Sequence, residues 1–327
     1  MTEKPKSKSE NPSDGVQGGD QSAGQDGGQS GHPDGYIEKF ITADGTVRAS
    51  AVICTSVINE AQKIHKSFPV ASAALGRALI GAGLLATFLK DEGKMALHFK
   101  GDGPLGAIFA EGDSSGAVRG FIVNPQVHVP SRNGKLDVGT AVGKGTLSVA
   151  TSLPDKKQPY TGTVNIQSGE IGEDIAYYLF QSQQTPSIVA LGVFVEPDNS
   201  VSAAGGCILQ VMPGASEKVL EVLEARVKQM RSVTEMIREG AQTSDLAFEM
   251  LEDLSFRRVE ESRQLAYRCH CSMKRVERSL LLVGVEELEI LIQKNEPAQV
   301  SCDFCGRQYL VDLPLLNDLL RLAKNRS

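Results

Sequence analysis

The chain has 327 residues, 41% hydrophobic and 23% charged, an ordinary globular balance with room for one sizeable core and a smaller unit. A formal charge of −6, no Trp and only 5% aromatics argue against a duplex-binding surface or a platform for stacking single strands. No apolar run is long enough to span a bilayer and the N-terminus lacks the apolar centre of a signal peptide, so the reading is a cytoplasmic protein without a membrane partner, in a compartment that keeps thiols reduced.

Residues 1–35 are Gly, Ser, Gln, Asp and Lys with almost nothing to bury, and a disordered head is expected there. From Tyr36 the pattern becomes globular. Apolar residues at helical spacing mark 55–66 and 69–90, with Pro69 placed to start the second helix. The period then changes. Runs at 95–100, 105–111 and 118–123, broken by Gly-Asp-Gly and Asp-Ser-Ser-Gly, read as an antiparallel meander, with further strands at 145–150 and 160–167. A helix is expected over 170–183, then strands at 187–196 and 201–211. Elements in blocks, without strict alternation, favour an α+β fold: a core domain over 36–215 with a mixed antiparallel sheet and helices. Residues 216–265 read as an amphipathic helical linker, with one stretch over 216–240 that has Val219, Leu223, Met230, Val233 and Ile237 near one face and a second, shorter one over 245–254. That stripe could lie on an apolar sheet face and mask it. Ser232, Thr234, Gly240, Thr243 and Ser244 are poor helix formers and should keep the segment marginal.

The last region, 266–327, is a small cysteine-bearing domain. Its cysteines fall in two pairs, Cys269-His270-Cys271 and Cys302-Asp303-Phe304-Cys305, separated by residues 272–301. Zinc takes four tetrahedral ligands, and an all-thiolate shell is a closed structural site. The intervening segment is long enough to fold as its own unit and return the second pair. Gly306 suits a knuckle because glycine accepts the positive φ of a tight turn. The second pair reads as a knuckle between short strands. His270 is not expected as a ligand, since its neighbours already fill the shell. Cys54 and Cys207 sit alone in apolar surroundings and read as buried small hydrophobes. A disulfide across one intervening residue is strained, and strained disulfides are easily reduced. Oxidation would remove ligands, and metal binding in such a unit is largely its folding energy, so the pattern permits a thiol switch without requiring one. Elsewhere, Gly101-Asp-Gly103-Pro-Leu-Gly106 formally matches a dinucleotide loop but is followed by a strand-like run, so it reads as a hairpin turn. Gly143-Lys-Gly-Thr lacks the Ser or Thr that a phosphate loop needs after its Lys. No catalytic constellation emerges, and a non-enzyme is expected.

On these residues the chain resembles the 33-kilodalton chaperonin family, the redox-regulated heat-shock holdases. The resemblance spans about residues 40–316 and is carried by the four cysteines with Phe304 and Tyr309, and by Ala74-Leu-Gly-Arg77, Gly101-Asp-Gly-Pro-Leu105, Arg119-Gly-Phe121 and Ala204-Gly-Gly206. Where the family usually has Ser-Glu-Gln, this chain has Ser182-Gln183-Gln184. The resemblance implies an ATP-independent chaperone of the oxidative stress response. Its reduced, inactive form holds one Zn2+ per chain on Cys269, Cys271, Cys302 and Cys305. Oxidation forms two disulfides, zinc leaves, the connector unfolds, and apolar surface captures unfolding client proteins; the activated form is expected as a homodimer. Short spacing then favours Cys269–Cys271 and Cys302–Cys305 as the pairs. Two other classes stay open at this point: a zinc-clipped nucleic-acid or ribosome-associated module, which the negative charge opposes, and a thiol oxidoreductase using Cys302 and Cys305.

Overall fold

Two strands that the sequence pattern leaves unmarked open the fold. Strands β1 (Tyr36–Thr42) and β2 (Val47–Ile53) pair antiparallel, with Ile37 opposite Val52 and Ile41 opposite Arg48. The structure, a computed structural model, describes residues 34–89, 92–251 and 254–325. Helix α1 (Thr55–His65) lacks a cap from its own N-cap residue; the Asp34 carboxylate instead accepts the Thr55 and Ser56 amides, both at 2.8 Å. Those amides have no partner within the helix, so the carboxylate satisfies them and suits the positive helix end. The Gly35 carbonyl accepts the Leu265 amide at 2.6 Å. Asp34 and Gly35, expected in the disordered head, therefore belong to the folded chain; the rest of residues 1–33 lies outside the described residues.

Helix α2 (Pro69–Ala86) carries Pro in its first turn, and every residue except Pro69 and Arg77 is buried. A helix apolar on all sides must be enclosed. By length and composition it could cross a membrane, yet 89% of it is buried inside the fold. It lies between two sheets. The second of these in the chain begins with the expected meander, β3 (Lys94–Gly101), β4 (Ala107–Asp113) and β5 (Ala117–Ile122). The residues 101–106 make the hairpin turn between β3 and β4, not a dinucleotide loop. Short α3 (Val138–Val142) leads to β6 (Gly145–Ser152) and β7 (Tyr160–Asn165), and the strand order there is β5-β4-β3-β6-β7. Alternate residues such as Leu97, Phe99, Ile108, Ala110 and Val118 face α2. A Cβ on Gly112 would sit 2.6 Å from the Ala82 carbonyl oxygen, so β4 runs against the α2 backbone itself.

Helix α4 (Gly172–Gln183) then precedes β8 (Ser187–Val195) and β9 (Val201–Val211). These join β2 and β1 in the other sheet. Its period-2 alternation serves two cores at once. Ile37, Val52, Ala204 and Ile208 face α2, whereas Phe40, Val47, Ala49, Cys207 and Leu209 face the opposite side.

That opposite side is covered by the linker. The stretch expected over 216–240 is broken into α5 (Glu217–Val227) and α6 (Val233–Arg238), and α7 (Thr243–Leu251) falls at the second expected stretch. Between α5 and α6, Arg231 reaches Glu249 and Glu239, both at 3.3 Å, and its amide donates to Glu249 Oε1 at 3.1 Å. Packing wins over helical continuity: Val219, Leu223, Met230, Val233 and Ile237 all still reach the apolar sheet face. The end of the expected helical linker, 256–264, is a strand, β10 (Phe256–Gln264), paired antiparallel with β1. Its sequence, Phe-Arg-Arg-Val-Glu-Glu-Ser-Arg-Gln, is charged throughout, as suits a sheet edge, and so shows no apolar alternation. The five-stranded order is β10-β1-β2-β9-β8.

A two-residue strand β11 (Ala266–Tyr267) adds in parallel to the edge of β5. After it come α8 (Met273–Val283), α9 (Val285–Gln293), the hairpin β12 (Ala298–Ser301) and β13 (Gln308–Val311), and α10 (Leu313–Lys324). Val276, Leu280, Leu288, Val311, Leu316 and Leu319 give this part its own small core. The Asp312 carboxylate caps α10 by accepting the Leu315 amide at 3.0 Å.

The close approach of β4 to α2 gives a direct test. Gly112→Ala should lower unfolding stability by about 1–3 kcal/mol through overpacking, read as a lower urea midpoint by circular dichroism. An unchanged midpoint would mean that the contact relaxes without cost.

Candidate metal centre

The two cysteine pairs reach one place by different means. Cys269 and Cys271 lie on the extended segment between β11 and α8, and that segment is pinned to the sheet edge by the Arg268 amide donating to the Val118 carbonyl at 2.9 Å. Cys302 and Cys305 form the tip of the β12–β13 hairpin. There the Gly306 amide donates to the Cys302 carbonyl at 2.8 Å, the Cys302 amide donates to Arg307 at 2.9 Å, and Gly306 has φ +68°. This is the expected knuckle between short strands, and its turn needs the left-handed conformation that glycine adopts without strain.

The four sulfurs all lie within 4.8 Å of one another. Cys269 Sγ is 3.7 Å from Cys302 Sγ, and Cys271 Sγ is 3.4 Å from Cys305 Sγ. A tetrahedral zinc site with Zn–S of about 2.3 Å has S···S edges of about 3.8 Å, so the donor set and its spacing fit such an ion. The group could hold a metal. His270 is exposed and outside it. Cys54 and Cys207 are fully buried in the two cores, and burial pushes both thiols well up, which makes them poor nucleophiles and poor ligands.

Within the cluster the thiols differ. Burial pushes Cys269 up, and it pushes Cys305 up to about 12, where donating to neighbouring sulfurs also favours the protonated form. Burial acts the same way on Cys271, but there it is outweighed: the Tyr309 hydroxyl donates to its sulfur at 3.0 Å, the other thiols donate too, and it falls to about 7. Cys271 is thus favoured as the thiolate, and Cys269 and Cys305 as protonated thiols. A bound cation would take over the role of those protons.

The surroundings join the cluster to the second sheet. Phe304, between Cys302 and Cys305, packs its ring edge-on against Phe121 (5.2 Å between centroids) and Phe109 (5.7 Å), which stack on one another at 5.8 Å. The Arg119 guanidinium sits 4.4 Å over the Phe304 ring and pairs with Glu111 at 3.0 Å. Burial would lower the Arg119 pKa, but Glu111 and nearby Cys269 raise it overall. The Tyr267 hydroxyl lies between the carbonyls of Gly120 and Phe304, with His65 Nε2 at 3.0 Å. Burial lowers the His65 pKa, so the ring there favours its neutral form. Tyr267, Phe109 and Glu111 escaped the sequence reading. Arg119 and Phe121 were noticed within Arg119-Gly-Phe121, but nothing in their spacing tied them to cysteines far away in the chain.

The family profile described as Hsp33 protein matches residues 35–312. Among similar proteins, a 33 kDa chaperonin of Desulforamulus reducens is 41% identical over 88% of this chain and 97% of its own length. A 33 kDa chaperonin of Aquifex aeolicus is 44% identical over 86% of this chain and 88% of its own length. The crystal structure of the 33 kDa chaperonin of Thermotoga maritima superposes with a TM-score of 0.81 at 31% identity, covering 89% of this chain and 99% of that one.

The hydrogen bond from Tyr309 to Cys271 supports the donor set from outside. Tyr309→Phe should weaken zinc binding about tenfold, the low end for losing such an outer partner, measured by competition with a chromogenic chelator. Unchanged affinity would show that the hydroxyl plays no part in holding the site.

Proposed function

The chain belongs to the Hsp33 family, and we propose that it is a redox-regulated, ATP-independent holdase. In this reading Cys269, Cys271, Cys302 and Cys305 hold one zinc ion in the reduced, resting form. The observation that carries it is the convergence of all four sulfurs in one site whose knuckle is packed onto the core sheet. When bound, zinc would neutralise thiolate charge and cross-link the small domain.

Peroxide is the simplest oxidant to follow. A thiolate of the second pair attacks one peroxide oxygen, the O–O bond breaks, and a sulfenic acid forms. The other thiol of the pair attacks that sulfur, and the sulfenic oxygen leaves as water. Two thiols and one hydrogen peroxide thus give one disulfide and two waters. Each disulfide removes two of four ligands, and the site can no longer retain the ion. The nearest sulfurs in the folded chain belong to different pairs, but all four lie within 4.8 Å, so proximity alone selects no pairing. Once the cluster opens, only the partners within Cys269-x-Cys271 and Cys302-x-x-Cys305 stay beside each other. We assign the disulfides to these local pairs.

Opening would act on the linker. Helices α5–α7 cover the apolar face made by Phe40, Val47, Ala49, Cys207 and Leu209. They are short and lead through β10 and β11 into the cysteine unit. Release of that unit removes their anchor, and the uncovered face takes up unfolding clients or pairs with another copy as a homodimer. In this reading the thiols rest reduced, as they would in the cytoplasm. Its work is binding rather than catalytic turnover.

Peroxide at mild heat should therefore release zinc and suppress client aggregation together in one sample, with peptide mapping recovering Cys269–Cys271 and Cys302–Cys305. Suppression by protein that keeps its zinc, or a dominant Cys271–Cys302 link, would contradict the mechanism. Independently, Val233→Asp with Ile237→Asp puts charge on the packed face of α6, where Val233 is 7% exposed. Burying such charge costs several kcal/mol, so the doubly substituted protein should be partly active while reduced and zinc-loaded. If it binds no more apolar dye than wild type and suppresses no aggregation, the linker is not a mask.

A further inference from the structure

The outer face of the second sheet holds an aromatic arrangement that the linker does not touch. Phe109 and Phe121 lie directly opposite each other on β4 and β5, Glu111 and Arg119 form the next pair on the same face, and His98 of β3 lies opposite Phe109. None of these side chains enters the core around α2. What covers the two rings is Phe304, held edge-on to both with Arg119 over its ring. Phe304 is part of the hairpin tip between two cysteines, so its hold on the socket depends on the cluster staying closed.

The edge of β5 beside the socket is occupied by the same unit. Ala266 and Tyr267 pair in parallel with Ala117 and Val118, and the Ala266 and Arg268 amides donate to the Gly116 and Val118 carbonyls at 3.0 and 2.9 Å. Further along, the Gly120 carbonyl is satisfied by a side chain, the Tyr267 hydroxyl at 2.8 Å. The edge thus receives a short extended backbone and, one strand pair away, an aromatic ring. These are the two elements of recognition by strand addition: main-chain hydrogen bonds give affinity and a side-chain pocket gives preference.

We infer that the β5 edge and the Phe109–Phe121 socket form a docking site for extended segments of unfolding proteins that carry an aromatic residue, occupied at rest by 266–268 and Phe304 of the chain itself. The inference rests on the holdase reading above and adds a second capture surface, on the opposite sheet from the linker face, with a stated preference. The resident segment acts as a stand-in client. When the cysteine cluster opens, the ring and the short strand leave together, and β5 becomes a free edge next to two exposed rings. Free edges of this kind recruit extended chains.

The full chain after peroxide treatment would be offered two fluorescent, unstructured peptides of Gly, Ser and Thr that differ by one Phe or Ala. The oxidised protein should bind the Phe peptide about tenfold more tightly, the scale of a well-placed aromatic contact together with its buried area. Phe109→Ala with Phe121→Ala should abolish that difference in protein whose zinc release and disulfide formation have gone to completion, whatever their rate. The reduced, zinc-loaded chain should bind neither. In a second measurement, a photoreactive benzoylphenylalanine in place of His98 should cross-link the Phe peptide only after oxidation; this arm decides the matter if the double variant fails to fold. A preference that survives the double substitution, equal binding of the two peptides by wild type, or cross-links reaching only the knuckle of a second copy would overturn the inference. Failure of zinc release or of aggregation suppression in wild type would instead sink the holdase reading.

Discussion

Four sulfur atoms within 4.8 Å of one another must share either protons or a cation. As bare thiolates each pair about 4 Å apart would repel by about 4 kcal/mol before solvent screening, at an effective dielectric near 20. The sequence places these thiols in two pairs on segments that meet only in the folded chain, one pinned to a sheet edge and one at a hairpin tip. The cluster therefore joins the two segments of the C-terminal unit, and on the proposed reading its metallation decides whether that closure holds. The Tyr309 hydroxyl donates to the Cys271 sulfur and lowers its pKa, so one hydrogen bond from outside the four sulfurs favours the thiolate there.

The magnitudes fix the order of events. Among the described residues, the contacts docking the knuckle on the sheet include two edge-on aromatic pairs, one cation–π contact and the Tyr267 hydroxyl on the Phe304 carbonyl. Such contacts are worth about 0.5–1.5 kcal/mol each. The linker adds its buried face, but its helices are short, and isolated helices of their length are marginal in water. Structural zinc sites contribute about 10–16 kcal/mol in small peptides. On the proposed reading the ion thus outweighs the docking contacts, and its loss leaves the knuckle and the linker dependent on interactions of a few kcal/mol. By contrast, α2 is enclosed on all sides between two sheets, and from the segment leading into the cysteine unit Leu265 packs beneath Gly83 while Tyr267 joins the same core. On the proposed reading the molecule divides into a core that stands alone and a cover that does not.

Much of this was legible in the sequence, for identifiable reasons. The meander announced itself by turn residues between short apolar runs, α2 by its uniform apolarity and the Pro at its start, and the metal cluster by cysteine spacing. The linker was legible as an apolar face and a second short stretch, but not the break within 216–240, because the gap at 228–232 is held by Arg231 reaching Glu249 on a later element. Strand β10 was missed because an edge strand with charged residues carries no apolar alternation. Strands β1 and β2 went unmarked although Ile37, Val47 and Val52 are fully buried, since both faces are covered and Glu38 and Lys39 put charge on each face of β1, which hides any alternation. At the site, the ligand candidates were readable from local spacing, whereas Phe109, Glu111 and Tyr267 were not. Their role is set by tertiary approach across more than a hundred residues, for which a single sequence carries no local signal.

The division between core and cover is most directly tested by amide hydrogen exchange on the full chain, resolved by peptide, in the reduced zinc-loaded and the oxidised zinc-free states. Residues 217–251 and the outer edge of β5 should be protected in the first state and exchange rapidly in the second, while α2, β3 and β4 keep their protection in both. Protection of 217–251 that persists after the zinc has left and both disulfides have formed would contradict the claim that the four-cysteine cluster holds the cover in place.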